Sequence, residues 1–398
     1  MEGRHHTHWM AVIAFFVTFT LFVDTVGPNA RVETISEAKI EPAVVIPIIE
    51  EQVAVALIPE RTHLATPDSV RAIYLTGWSA GTPKRLTKAL ELFEDSVLNA
   101  VVIDIKDATG KLSYMPLDPA LVATGAGTKR ISNLKGVIDE FHKRGIYVIG
   151  RLTVFQDPLY ATLYPSETFL DTRTGLPWTD NKGIKWLRPD SSMTREYASA
   201  IARDAYAQGF DEINLDYVRF PSDGPLQYLD LSGFAKNKSD TMQDFFVAIN
   251  EDLEGIPLSA DVFGLTMSAN DDVGIGQKAV MIAPSVDALA PMVYPSHFWN
   301  GTYGIPVPAQ EPYKVIYKSL SDGIKKLETA GIDKSKIRPW LQDFDLLGVE
   351  YTAELVRAQI QAVYDLGIQS WMMWDPRNEY TEEVYKILEP EVGLEPVL

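Results

Sequence analysis

From Ser69 onward the chain alternates short runs of β-branched and aromatic residues with stretches whose apolar positions recur at the helical period. Eight runs read as strands: Arg71 to Leu75, Ala100 to Lys106, Ile146 to Phe155, Glu212 to Phe220, Leu258 to Phe263, Ala288 to Tyr294, Ile337 to Phe344 and Gln369 to Asp375. Helical patterns follow them at Pro83 to Asp95, Asn133 to Arg144, Met193 to Gln208, Thr241 to Glu254, Pro312 to Ala330, Thr352 to Leu366 and Tyr380 to Leu388, with a shorter one near Gly276 to Ala283. Several helices run into a glycine that opens the next strand, as in Arg144-Gly145-Ile146 and Leu366-Gly367-Ile368, where a left-handed C-cap favours glycine. Strands separated by crossover helices make a parallel sheet. Eight such units over about 330 residues predict an α/β fold of the (β/α)8 TIM-barrel type across 67–398. A doubly wound open sheet is the competing architecture. It calls for a glycine-rich nucleotide loop after the first strand, and Thr76-Gly77-Trp78-Ser79-Ala80-Gly81 lacks both the phosphate-loop Lys and the dinucleotide spacing.

The N-terminus has a different texture. Trp9 to Val23 is an unbroken apolar run, preceded by Arg4 and closed by Asp24, Gly27 and Pro28. It reads as a signal anchor or signal peptide over 1–26, shorter than the roughly 20 residues of a full span. The small-residue cleavage pattern is poor, which favours a retained anchor. Residues 27–66, rich in Glu, Pro, Val and Ile, have no sustained period and read as an extended linker. The expected location is therefore extracytoplasmic, tethered to the cytoplasmic membrane or secreted.

Composition narrows the class. The net charge of −18 disfavours a nucleic-acid partner, which would need clustered Lys and Arg. With no Cys, disulfides and thiolate metal sites are excluded. The six His form no ligand-type cluster, no Gly-x-Ser-x-Gly elbow is present, and no cofactor or metal is expected.

Active sites of such barrels lie at the C-terminal ends of the strands, so polar residues there carry the candidate chemistry. In the second strand the two-residue period puts Asp104 and Lys106 on one face, where they line the mouth or pair to close it. In the fourth, Asn214 and Asp216 share a face; Asp216, near the strand end, is the leading catalytic residue, able to attack a sugar carbon or balance an oxocarbenium-like charge. Arg219 points away in a regular strand but would turn inward at a bulge to hold substrate or orient a carboxylate. In the fifth, Asp261 lies next door to Asp216, a placement that can drive two carboxyl pKa values apart. Gln342, Asp343, Trp374 and Asp375 approach the same rim, with Tyr294, His297 and Trp78. Aromatic faces beside carboxylates and amides suit pyranose rings. A metal-assisted site of Asp104, Asp216 and Asp261 is a lesser option.

The run Gly209-Phe210-Asp211-Glu212-Ile213-Asn214-Leu215-Asp216-Tyr217-Val218-Arg219-Phe220-Pro221-Ser222-Asp223-Gly224, with Trp186-Leu187-Arg188-Pro189-Asp190 before it, resembles the bacterial putative glycosyl hydrolase domain family. Val102 to Asp107, Arg151 with Phe155-Gln156-Asp157-Pro158, Arg338 to Phe344 and Trp374 to Asn378 are further matches. The resemblance implies a (β/α)8 barrel distantly related to alpha-amylase and alpha-galactosidase type hydrolases. By that analogy Asp216 is nucleophile, Asp261 proton donor and Asp343 an assisting acid, with Arg151 among the substrate-binding residues. At the fifth strand alpha-amylases carry Glu where this chain has Asp261, so Asp104 and Asp375 stand as substitutes for the acid. The expected function is a glycoside hydrolase or transglycosylase acting on a cell-envelope or extracellular polysaccharide. A noncatalytic glycan-binding barrel is the alternative.

Overall fold

A computed structural model describes residues 63–386; the apolar run Trp9 to Val23, the linker up to residue 62 and the chain beyond Lys386 lie outside the described residues. Eight parallel strands close on themselves: β1 (Arg71–Leu75), β2 (Ala100–Lys106), β3 (Tyr147–Thr153), β4 (Glu212–Asp216), β5 (Leu258–Phe263), β6 (Ala288–Met292), β7 (Trp340–Gln342) and β8 (Trp371–Trp374). The closing pair sets Arg71 to Ile73 beside Trp371 to Met373. Among the described residues one helix leads from each strand into the next, with shorter helices beside some of them: α1 (Pro83–Glu91), α2 (Leu134–His142), α3 (Ser192–Ala207), α4 (Lys238–Asp252), the one-turn α5 (Ala279–Ile282), α6 (Pro312–Thr329) and α7 (Ala353–Asp365). Gly145 and Gly367, at φ of 69° and 75°, adopt the left-handed conformation expected after α2 and α7.

Side-chain alternation sorts the core into two layers. Ile73, Val101, Ile103, Val148, Leu215, Ala260, Leu341 and Met373 face the helices. Ala72, Tyr74, Val102, Tyr147, Ile149, Ala290, Trp340 and Met372 fill the barrel interior. The interior is also polar along one side, where β4 contributes Glu212, Asn214 and Asp216, all buried. Glu212 accepts from Arg338 Nη1 at 2.7 Å and from Ser259 Oγ at 2.6 Å, so the lower barrel holds a buried ion pair.

Three departures from the sequence pattern have local causes. β4 stops at Asp216 because Tyr217 takes a φ of 54°, a left-handed turn that ends the pairing. The helix expected over Tyr380 to Leu388 is, among the described residues, a 3-10 turn at Glu382–Val384. Its neighbours are committed to the barrel: Tyr380 Oη donates to the Tyr74 carbonyl, and Thr381 and Tyr385 donate to Asp343.

The third departure corrects Lys106. The register pairs Asp104 with Arg151 but Lys106 with Leu152, leaving Ile105 as the extra residue of a β-bulge. Lys106 is thereby turned onto the helix-facing side with Leu152, not onto the face of Asp104. Its Nζ donates to Asp157 Oδ2 at 2.5 Å and lies 5.3 Å from the Tyr197 ring of α3. Gly150 makes room: a Cβ there would meet Ile105 Cδ1 at 2.4 Å. The Lys106–Asp157 pair is sealed in the core, so removing one partner strands a charge. Lys106→Met should cost about 3–5 kcal/mol in denaturant unfolding, and Lys106→Met with Asp157→Leu should recover most of it. Simple additivity of the two substitutions would remove the pair from the account of the fold.

Candidate active site

The site is built where β1 to β5 and β8 end. Arg151, from β3, is its hub. Its Nη1 donates to Asp104 Oδ1 of β2 at 2.7 Å, its Nε to Asp216 Oδ2 of β4 at 3.0 Å, and its Nη2 also to Asp216 Oδ2. The Tyr74 hydroxyl of β1 donates to the second oxygen of Asp104 at 2.6 Å. Burial raises the Asp104 carboxyl, against the pull of Arg151 and Tyr74, and burial and Asp104 together push the Tyr74 hydroxyl up, so that it stays a donor. The remaining oxygen of Asp216, Oδ1, accepts from the Tyr217 backbone N–H at 2.6 Å. The left-handed turn at Tyr217 aims that N–H back at the carboxylate, and such turns cluster at functional sites.

Asp261 stands on the neighbouring strand. The pairing of Asn214 with Ser259 and Leu215 with Ala260 carries β4 upward so that Asp216 comes level with Asp261. Asp261 Oδ1 accepts from Asn214 Nδ2 at 2.9 Å and from the Trp340 indole at 2.7 Å. Its Oδ2 has no hydrogen-bond partner among the described residues and is not one of the sealed, unpartnered atoms. Burial raises this carboxyl well above the ordinary range, and the charge of Asp216 adds to the shift. With Oδ1 occupied by two donors, the proton of the acid form belongs on Oδ2.

Aromatic rings form the wall beside the carboxylates. Trp374 stacks on Tyr74 at 4.0 Å between centroids and meets Trp340 edge-on at 5.6 Å. Arg151 lies beneath the Tyr74 and Trp374 rings. Tyr294 packs edge to face against His297 and Phe344. Burial pushes the His297 imidazole down to about 4, so it is neutral at physiological pH. Gln342 faces inward and accepts from the Ser296 backbone N–H and hydroxyl. Arg219 is buried among the rings of Trp186, Tyr217 and Phe263. Trp78, 62% exposed, stands at the rim with Arg130 over its ring.

Of the residues singled out in the sequence, the structure brings together Asp104, Arg151, Asn214, Asp216, Asp261, Tyr294, Gln342 and Trp374. Three stand elsewhere. Lys106 is turned outward by the bulge. Asp343 follows inward-facing Gln342 and so points out of the barrel, where Thr381 and Tyr385 saturate it. Asp375 follows inward-facing Trp374; its Oδ1 accepts the N–H groups of Arg377 and Glu379, which shapes the loop after β8. Tyr74 and Trp340 join the site without a motif to mark them: the strand period alone places both on the inner face with a donor at the tip. Among the described residues no group of three His, Cys, Asp or Glu is arranged to hold a metal, and the Arg151 guanidinium occupies the space between Asp104 and Asp216.

Asp375 yields a pH prediction. Burial pushes its carboxyl up to about 6, and its Oδ2 accepts no hydrogen bond. A raised folded pKa means the native state holds a proton that the unfolded chain has already lost. The stability it contributes is therefore full below about 4 and is lost as pH rises to about 6. In Asp375→Asn the fall in melting temperature between those pH values should be shallower than in the wild type; parallel curves would refute the assignment.

Residues 72–380 match the family described as "Putative glycosyl hydrolase domain". A hypothetical protein from Ruminiclostridium thermocellum is 36% identical over 48% of this chain and 97% of its own, with a TM-score of 0.45. The alpha-galactosidase TtGalA from Thermus thermophilus superposes with a TM-score of 0.50 at 14% identity, over 81% of this chain and 61% of that one. Eubacterium rectale Amy13B also gives 0.50, at 11% identity, over 78% and 66%. At such identities the last two likenesses are of fold alone. No curated protein matches. The family match runs from the first strand of the barrel to the loop after the eighth, and the chain belongs to the putative glycosyl hydrolase domain family.

Proposed function

We propose that the chain cleaves or transfers glycosyl units of a cell-envelope or extracellular polysaccharide, with Asp216 as nucleophile and Asp261 as proton donor. The observation that carries this reading is the contrast between two carboxyl groups on adjacent strands. Asp216 is the anion of an ion pair, and Asp261 is kept toward its protonated form. In the first step Asp216 Oδ1, which has a single hydrogen bond, attacks the anomeric carbon while Asp261 Oδ2 gives its proton to the departing glycosidic oxygen. The carbon–oxygen bond of the glycoside breaks and a glycosyl ester forms on Asp216. Asp261, now a carboxylate, then takes a proton from water or from a sugar hydroxyl that attacks the ester, which restores both groups with net retention of configuration. Arg151, Asp104 and Tyr74 position Asp216. Trp374, partly exposed and backed by the Tyr74 ring, is the apolar face for the C–H side of a sugar.

A noncatalytic glycan-binding barrel remains the second reading, because both oxygens of Asp216 are already engaged. Turnover decides between them. On a glycan panel that includes peptidoglycan and α-glucans, Asp216→Asn should lose activity by orders of magnitude while retaining its fold. Asp261→Asn should lose about 10²–10⁴-fold on natural linkages and much less on activated leaving groups. Product released by the wild type should first appear with the anomeric configuration of the substrate. Full activity in a folded Asp216→Asn protein would abandon the nucleophile. Absence of turnover by the wild type across the panel, with glycan binding intact, would favour the binding barrel.

The cellular setting is part of the same proposal. Trp9 to Val23 would hold the barrel to the outer side of the cytoplasmic membrane through the linker. No helix among the described residues is long and apolar enough to cross a membrane. The protein should remain in the membrane fraction after a salt wash; a soluble mature form beginning near Arg31 would show cleavage instead.

A further inference from the structure

Three arginines are buried among the described residues: Arg151, Arg219 and Arg338. Arg151 is paired with Asp104 and Asp216, and Arg338 with Glu212. Arg219 has no such partner. It is 8% exposed, and its guanidinium lies 4.7 Å from the centroid of Phe263, 4.9 Å from Trp186 and 5.4 Å from Tyr217. Those rings locate it at the mouth. Tyr217 follows Asp216 directly, and Phe263 shares the inward period of β5 with Asp261. Nη1 donates to the Phe220 carbonyl and to Ser222 Oγ, both at 3.0 Å. Nε and Nη2 have no hydrogen-bond partner among the described residues and are not sealed in the core.

Ring faces offset part of the cost of a buried cation, but they accept no hydrogen bonds in the guanidinium plane. The unused Nε–Nη2 edge is the one that grips a carboxylate through two parallel bonds. Asp216, Asp223 and Asp180 act on Arg219 only from farther away. Burial and the neighbouring Asp180 push the Asp223 carboxyl up, which weakens it as a counter-ion. We propose that Arg219 recognises a carboxylate carried by the substrate, so that the glycan taken at this mouth is an acidic one. The inference rests on the glycan-cleft reading above and adds its substrate class. The carboxylate belongs either to a uronic acid or to a lactyl ether on an amino sugar; the chemistry of recognition is shared. The body's net charge of −18 repels such a polymer at long range, a repulsion that physiological salt screens within about 8 Å. Selectivity therefore comes from contact with Arg219 and should survive physiological salt.

Calorimetric binding tests this without relying on catalysis. The full chain carrying Asp216→Asn is titrated with glucuronan oligosaccharides and, separately, with peptide-free peptidoglycan glycan strands. Each ligand is compared with its carboxyl-reduced form. At least one acidic ligand should bind about tenfold or more tightly than its reduced form, and the arm in which this occurs identifies the source of the carboxylate. Adding Arg219→Met should bring the two forms to within about twofold of each other, and Arg219→Lys should keep part of the preference. Equal affinity for acidic and reduced forms in both arms, or no measurable affinity in either, overturns the proposal. So does a preference that survives Arg219→Met in a protein with unchanged thermal unfolding. If Arg219→Met does not fold, the comparison of acidic and reduced ligands together with Arg219→Lys still decides. Absence of turnover by the wild type, with an intact acidic-ligand preference, would instead count only against the hydrolase reading.

Discussion

The arrangement at the mouth depends on one guanidinium shared by two carboxylates. Arg151 ties β3 to β2 through Asp104 and to β4 through Asp216, at the level where three strands end. A buried cation between two anions leaves one negative charge in excess, and a third carboxylate would make two. Burial in low dielectric makes that second charge costly, so the next acid along the sheet, Asp261, is the one held toward its neutral form. Burial and the neighbouring charge of Asp216 hold Asp261 toward its neutral form, and the Arg151 guanidinium pulls the other way. A change at Arg151 would release both Asp104 and Asp216, the two carboxylates that it holds.

Beneath this pair the barrel interior holds a continuous polar line. Arg338 donates to Glu212, Ser259 donates to Glu212, Asn214 donates to Ser259, and Asn214 also donates to Asp261. Because the Ser259 hydroxyl hydrogen is spent on Glu212, its oxygen is left to accept. That fixes the Asn214 amide with its NH2 toward Asp261 and leaves Asn214 Oδ1 buried without a partner. An unsatisfied carbonyl costs stability, and it is tolerated where it secures the orientation of an acid.

Much of this was readable from alternation. The eight strands follow from apolar runs between helical patterns, and the inner positions of Asp104, Asn214, Asp216, Asp261 and Trp374 follow from the two-residue period. The same period, applied strictly, separates Gln342 from Asp343 and Trp374 from Asp375. All four lie near strand ends, but side-chain direction, not nearness to the rim, decides which of them enter the barrel. Lys106 was not legible in that way, because a bulge shifts the register by one residue. Its trace in the sequence is Gly150, whose missing side chain admits Ile105. The Arg151 bridge and the seat of Arg219 among three rings are products of tertiary packing, and no local pattern encodes them.

The fifth-strand acid is where this chain departs from the alpha-amylase pattern to which its resemblance points. Asp261 is shorter than a Glu by one carbon–carbon bond, about 1.5 Å. An acid with less reach must be approached more closely or held more firmly. Here it is held, between the Asn214 amide and the Trp340 indole, both of them buried. With Oδ1 anchored twice, Oδ2 has one direction to face, and the loss of side-chain length is accompanied by a loss of rotational freedom. In the proposed mechanism a longer acid could find its substrate by rotating, whereas Asp261 would require the sugar to be brought to it. The stacked Tyr74 and Trp374 rings and the unspent edge of Arg219 are the groups at this mouth to which the proposals assign that task.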